Sequence, residues 1–205
     1  FDKDIPAALL TYLVKRLGLS HKDNLIAGGR IHNFKDFIKF PTLNRNHLRY
    51  DYLPQIPHAD LKNVHSILSK IKEKDILLYY PYHSFDYFLD LLREAAIDPS
   101  VSHIRCTLYR IAKNSNVVKS LITAVRNGKD VTVFIELRAR FDEEANIEWA
   151  NILTKEGAKV ITGIPDLKVH SKLCLITRRE RGQKIYYAAI GTGNFHEKTA
   201  NIYTD

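Results

Sequence analysis

The segment Leu167–Ile176 reads LKVHSKLCLI, an apolar, strand-like run that carries His170 and Lys172. Alternate residues of a strand project to the same side, so this pair shares one face while Val169, Ser171 and Leu173 take the other. An imidazole beside an ammonium can exchange protons and hold an anion. His-x-Lys alone is too short to separate that role from a satisfied core histidine followed by a strand-end lysine. A second feature, Gly191-Thr192-Gly193-Asn194, directly follows the last apolar strand. Its glycines leave backbone N–H groups free to approach an anion, and Asn194 can donate as well. By itself the same loop reads as a tight turn. Arg110 ends VSHIRCTLYR, and Arg140 lies just past DVTVFIEL. Ligands bind outside the carboxyl ends of strands in open parallel sheets, so these two arginines could converge on one anion. The opposing reading is a pair of solvated surface arginines, the common fate of that residue.

The elements that must position these side chains change character near residue 73, which divides the sequence into 1–72 and 73–205. In the first part, IPAALLTYLVKRLGL spaces Ile5, Leu9, Leu13 and Leu17 at helical intervals, with Pro6 suited to a first turn. AGGRIHNFKDFIKFPTLNRN predicts turns around a short helix, and ADLKNVHSILSKIKEK predicts an amphipathic helix. Beyond residue 73, ILLYYPY reads as a strand, and Ser84 caps a helix over FDYFLDLLREAAI. VSHIRCTLYRI, DVTVFIEL and AKVITGI read as further strands. They alternate with the helices NVVKSLITAVRNG and EEANIEWANILTKEG, each closed by a glycine. That alternation predicts an α/β fold, a mixed but mainly parallel sheet covered by helices on both faces. KLCLITR and KIYYAAIGT, on either side of RERGQ, predict an antiparallel hairpin. Asp142, Glu143 and Glu144 open a helix, where acids favour the dipole, rather than forming a metal site. Trp149 falls at a core spacing with Ile152 and Leu153, and His32 is assigned no role.

Composition narrows the class. The 205 residues are 45% hydrophobic and 26% charged, ordinary for a globular chain able to bury a core. Cys106 and Cys174 both fall in apolar runs, which argues against a disulfide scaffold or a cysteine zinc site and fits a reducing cytoplasm. No apolar run approaches the roughly 20 residues of a membrane span. The net charge of +8 points to a polyanionic partner without choosing among nucleic acid, anionic lipid and phosphate-rich substrates. The first residues lack a basic signal region, no Met opens the chain, and NIYTD stops within a strand pattern. The sequence therefore reads as a fragment.

His-x-Lys followed by Gly-Thr-Gly-Asn resembles the phospholipase D superfamily, whose histidine attacks phosphorus while lysine and asparagine hold its oxygens. A neutral imidazole is nucleophilic near pH 7, and the phosphoramidate it forms is a good phosphoryl donor. One departure is Thr177, where that superfamily carries an aspartate five residues after the lysine. More discriminating segments are GGRIHNFKDFIKFP, LLYYPYHSFDYFLDLLREAAIDPSV, LYRIAKNS, ELRARFDEEANIEWA and IGTGNFHEKTANIYTD. These resemble polyphosphate kinase over essentially the whole chain.

The resemblance implies the end of a head domain over 1–72 and a first phospholipase D-like lobe over 73–205. A second lobe, with its own histidine, would lie outside the chain. It implies reversible transfer of the ATP γ-phosphate to inorganic polyphosphate through a phosphohistidine at His170. It places Arg110 and Arg140 at a magnesium–phosphate site and Tyr203 against the ATP base. Lys172 and Asn194 follow from the superfamily pattern. A guanidinium has no lone pair to give a metal, so the arginines read as phosphate clamps with Mg2+ bridging through phosphate oxygens. The implied partners are ATP, ADP and polyphosphate rather than nucleic acid. The implied setting is a homo-oligomer in the cytoplasm, peripheral to the inner membrane, and the fragment alone is expected to be inactive. The alternatives are a phospholipase D-type phosphodiesterase and a non-catalytic polyanion-binding module.

Overall fold

A computed structural model describes residues 1–20, 25–29, 41, 43–51, 53–139 and 142–202. In chain order its elements are α1 (Ala7–Arg16), α2 (Ile67–Glu73), α3 (Asp86–Ile97), β1 (Val101–Leu108), α4 (Asn116–Arg126), β2 (Asp130–Ile135), α5 (Glu143–Lys155), β3 (Lys159–Thr162), β4 (Lys172–Glu180) and β5 (Gln183–Gly191). They fall into two units, Phe1–Tyr52 and Leu53–Asp205. His32, Arg140 and Tyr203 lie outside the described residues, as does most of the segment expected to hold a short helix.

In the first unit, Pro6 precedes α1, where a missing N–H leaves nothing unsatisfied. The helix forms as its periodicity predicts, yet none of its residues is buried. The Phe1 ammonium donates to the Ile26 carbonyl at 2.9 Å.

The second unit is α/β, built on a five-stranded mixed sheet in the order β3-β2-β1-β4-β5. Pairings β1–β2 and β2–β3 are parallel, whereas β1–β4 and β4–β5 are antiparallel, so the two kinds are equal in number. Both crossovers step the same way along the sheet. Right-handed connections then place α4 and α5 on one face, and α3 packs against α4 there. The expectation of helices on both faces fails for this reason, since covering both requires the strand order to reverse. The other face leaves Leu173, Tyr186 and Ile190 exposed. Under the helices lies one core that includes Leu92, Ile104, Leu121, Val133, Ile135, Leu153 and Ile176. Burying a side chain of that size contributes about 2 kcal/mol.

Local signals explain most boundaries. Ser115 accepts the Val118 N–H at 3.2 Å to cap α4, and Gly128 ends that helix at φ 76°. Ser84 accepts the N–H of Asp86, the first residue of α3. The β4–β5 turn places Arg181 at φ 49° and Gly182 at φ 82°, the left-handed pair that suits a two-residue hairpin. Two expectations do not hold. The helix predicted from residue 59 begins only at Ile67, because Asn63 takes φ 61° and Ser66 supplies the cap. ILLYYPY joins no strand among the described residues, although Ile76, Leu78 and Tyr80 alternate inward against exposed Leu77 and Tyr79. Alternation fixes which side faces the core, but a strand also needs a ladder partner, and Pro81 has no N–H to offer.

Candidate functional site

Parallel pairing of β1 with β2 and antiparallel pairing with β4 gather three chain segments at one edge of the sheet. These are Tyr109–Arg110 after β1, Glu136–Arg138 after β2, and residues 167–171 leading into β4. Lys172 opens β4 and pairs with Gly191, the last residue of β5, where the Gly-Thr-Gly-Asn loop begins. A Cβ built on Gly191 would lie 4.0 Å from the Lys172 Cβ and 3.5 Å from the Gly193 carbonyl oxygen, so this loop folds tightly beside the lysine.

His170 precedes β4 rather than lying within it, and it is exposed. Lys172 is only 5% exposed. Its Nζ lies 3.0 Å from His170 Nδ1 and 3.1 Å from Nε2, and it donates to the His170 carbonyl at 2.6 Å. The expected shared face is therefore present. The Tyr109 ring meets the imidazole edge-on, centroids 4.8 Å apart. Lys172 Nζ, Lys168 Nζ and Arg110 Cζ stand 5.5, 5.6 and 5.7 Å from that tyrosine's centroid, within cation–π range. Partial desolvation of the ring, then the charges of Lys172, Lys168 and Arg110, hold the imidazole below its ordinary pKa of 6.5. It is thus neutral at pH 7, with a nitrogen lone pair available, in a field that attracts anions.

Arg110 reaches this cluster, while its guanidinium is ion-paired with Asp142. Asp142 stands at the start of α5 but makes no side-chain cap there; its carboxylate serves Arg110 instead. Asn194 is half-buried, and its carbonyl accepts the His196 N–H at 2.7 Å. Glu197, three residues beyond Asn194, accepts the Val117 N–H at 3.1 Å as well as that of Asn116, fastening the loop to the start of α4. Thr177 belongs elsewhere. It is five residues along β4 from Lys172, about 17 Å away at strand rise. An aspartate at that position would therefore stand away from Lys172 along the strand.

Several side chains at this edge were not singled out from the sequence. Tyr109 and Lys168 flank the histidine. Glu136 is 1% exposed and accepts the backbone N–H groups of Arg138 and Val169, each at 2.9 Å. Its burial opposes charge, but those two bonds and the Arg138 guanidinium outweigh it and keep the carboxyl below the usual carboxylate pKa. Asn146, fully buried on α5, donates to the carbonyls of Tyr109 at 2.8 Å and Glu136 at 2.9 Å, tying the ends of β1 and β2 together. The available signal was a charged residue closing the apolar run DVTVFI and an amide on the inward side of α5.

Arginine has no lone pair to offer a metal, and among the described residues no group of three or more His, Cys, Asp or Glu gathers to hold an ion.

A neutral histidine with Lys172 at 3.0 Å and Lys168 and Arg110 near it thus stands at the end of an α/β sheet. Residues 66–205 match polyphosphate kinase C-terminal domain 1, and the chain belongs to the polyphosphate kinase family. It is 54% identical over 205 residues to the polyphosphate kinase of Vibrio vulnificus strain CMCP6, covering all of this chain and 29% of that protein. The Escherichia coli K12 polyphosphate kinase is 50% identical over 207 residues, with 30% of its length covered. The crystal structure of polyphosphate kinase from Porphyromonas gingivalis superposes with a TM-score of 0.72 at 36% identity, over 99% of this chain and 32% of that one. A fainter likeness to Nuc, a phospholipase D family member from Salmonella typhimurium, has 23% identity and a TM-score of 0.44 over 62% of this chain and 74% of that one. The chain thus spans about three-tenths of the curated relatives it matches.

Proposed function

We propose that this chain is the histidine-bearing part of an ATP–polyphosphate phosphotransferase. One His170 ring nitrogen attacks the γ-phosphorus of ATP. The N–P bond forms as the bond from phosphorus to the β–γ bridging oxygen breaks, and ADP departs. A terminal oxygen of polyphosphate then attacks the same phosphorus, the N–P bond breaks, and the chain is one phosphate longer. Each step runs in reverse by the same path. The observation that carries this reading is the neutral, exposed imidazole of His170 with Lys172 at 3.0 Å and Lys168 and Arg110 close by.

In this reading Lys172, Arg110, Arg140 and Asn194 stabilise charge on the transferring oxygens, the main task in phosphoryl transfer. Tyr203 contacts the base, and magnesium enters with the nucleotide as part of the substrate. The setting that goes with it is a homo-oligomer in the cytoplasm or peripheral to the inner membrane. Among the described residues no helix is long and apolar enough to cross a bilayer.

The test is made on the full-length enzyme with ATP labelled at the γ position. Label should appear on His170 as an acid-labile, base-stable adduct and vanish in His170→Ala. Label that persists in the variant would defeat the reading.

A further inference from the structure

The histidine is carried on a segment that belongs to no strand, yet the residues on either side of it are pinned. On one side the Val169 N–H ends on Glu136 Oε2 at 2.9 Å. On the other, Thr107 Oγ1 donates to the Ser171 carbonyl at 2.7 Å and accepts the Leu173 N–H at 2.9 Å. Glu136 also draws in its own loop, through the Arg138 N–H at 2.9 Å, and the Arg138 guanidinium donates to the Leu167 carbonyl at 2.5 Å. Asn146 fixes the Glu136 backbone from behind. A carboxylate that is 1% exposed is costly unless its oxygens are used, and here each takes a backbone N–H. Three polar groups thus converge on five residues, 167–171, with His170 inside the span.

We propose that Glu136 is a positioning residue for the nucleophile: it anchors Val169 and so fixes where the His170 imidazole stands relative to Tyr109 and Lys172. Glu136 touches no reacting atom. Its two oxygens hold the loops after β2 and before β4 at one separation, and Thr107 sets the distance from β1. The catalytic part of this inference rests on the reading of His170 as phosphoryl acceptor; the anchoring part stands on geometry alone.

Glu136→Gln tests it with little change of shape. The amide keeps one carbonyl oxygen but turns an NH2 toward an N–H that now lacks an acceptor. In the full-length enzyme two quantities are measured, the rate of His170 phosphorylation across ATP concentrations and hydrogen exchange by peptide. The rate should fall by about 10²-fold, the scale of a misplacement near 1 Å, with the KM for ATP nearly unmoved. Exchange should quicken in the peptide spanning Val169 while the β1 and β2 amides stay protected. Thr107→Val, which cannot accept the Leu173 N–H, should act in the same direction. Unchanged exchange at Val169, or faster exchange throughout the sheet, would overturn the inference. So would an unchanged phosphorylation rate despite local loosening. Local loosening in a protein whose wild type takes no label on His170 would uphold the anchoring and defeat the phosphohistidine reading instead.

Discussion

His170 and Lys172 do different work although two positions separate them. The lysine is buried and the histidine exposed, so the ammonium acts from beneath the imidazole. A cation at 3.0 Å opposes protonation of the ring, and in the proposed transfer a phosphate would offer that ammonium a better acceptor. The sign of the pH effect follows. Lys172 contributes to holding the histidine pKa below 6.5, so Lys172→Gln should raise it. The acid limb of His170 phosphorylation in the full-length enzyme should therefore move to higher pH in the variant, toward 6.5. An acid limb that stays in place would separate Lys172 from the control of protonation. Arg110 contributes to the same field while paired with Asp142, so in the proposed transfer a phosphate would compete with a carboxylate for that guanidinium.

The hairpin β4–β5 delivers Lys172 and the glycine loop together, because its two-residue turn fixes the register that sets Lys172 opposite Gly191. Its far end is tied to the helices by Glu180, which bonds Lys72 of α2, Tyr187 and Arg178. Those three bonds, Lys72 first, pull the Glu180 carboxyl down to about 2. The folded pKa is depressed, so this stabilisation is present above the unfolded value near 4.5 and is lost as pH falls from there toward 2. Glu180→Gln should unfold at lower urea at pH 7, and its stability should decline less than that of wild type between pH 4.5 and pH 2. Equal acid slopes for the two proteins would show that the tie contributes nothing. The Ser84 bond to the start of α3, the hairpin and the β-α-β order were readable because they rest on local chemistry: Ser84, Gly128 and the RERGQ turn each act within a few residues. Glu136 was not, since its bond to Val169 joins positions 33 apart that only the folded sheet brings together. The ILLYYPY segment was misread for the same reason: its alternation is local, but a ladder partner is not.

The described residues include the histidine-centred end of the sheet, and relatives of this family are more than three times as long. The first unit presents a helix without a buried residue, and the sheet of the second leaves Leu173, Tyr186 and Ile190 exposed on one face. Both features fit a chain whose surfaces are completed by further polypeptide. The second unit nevertheless has a continuous core of its own. Expressed alone, these residues should therefore melt cooperatively yet convert ATP to polyphosphate far more slowly than the full-length enzyme. Synthesis at the full-length rate would show that nothing beyond them is needed.

The proposed intermediate has to form and decay fast enough to lie on the reaction path. Rapid quenching of the full-length enzyme, mixed with γ-labelled ATP and then chased with unlabelled ATP, measures both rates at His170. The label should reach His170 at least as fast as steady-state turnover and then pass into polyphosphate at a matching rate. Polyphosphate that gains label before His170 does, or a phosphohistidine that forms more slowly than turnover, would contradict the account.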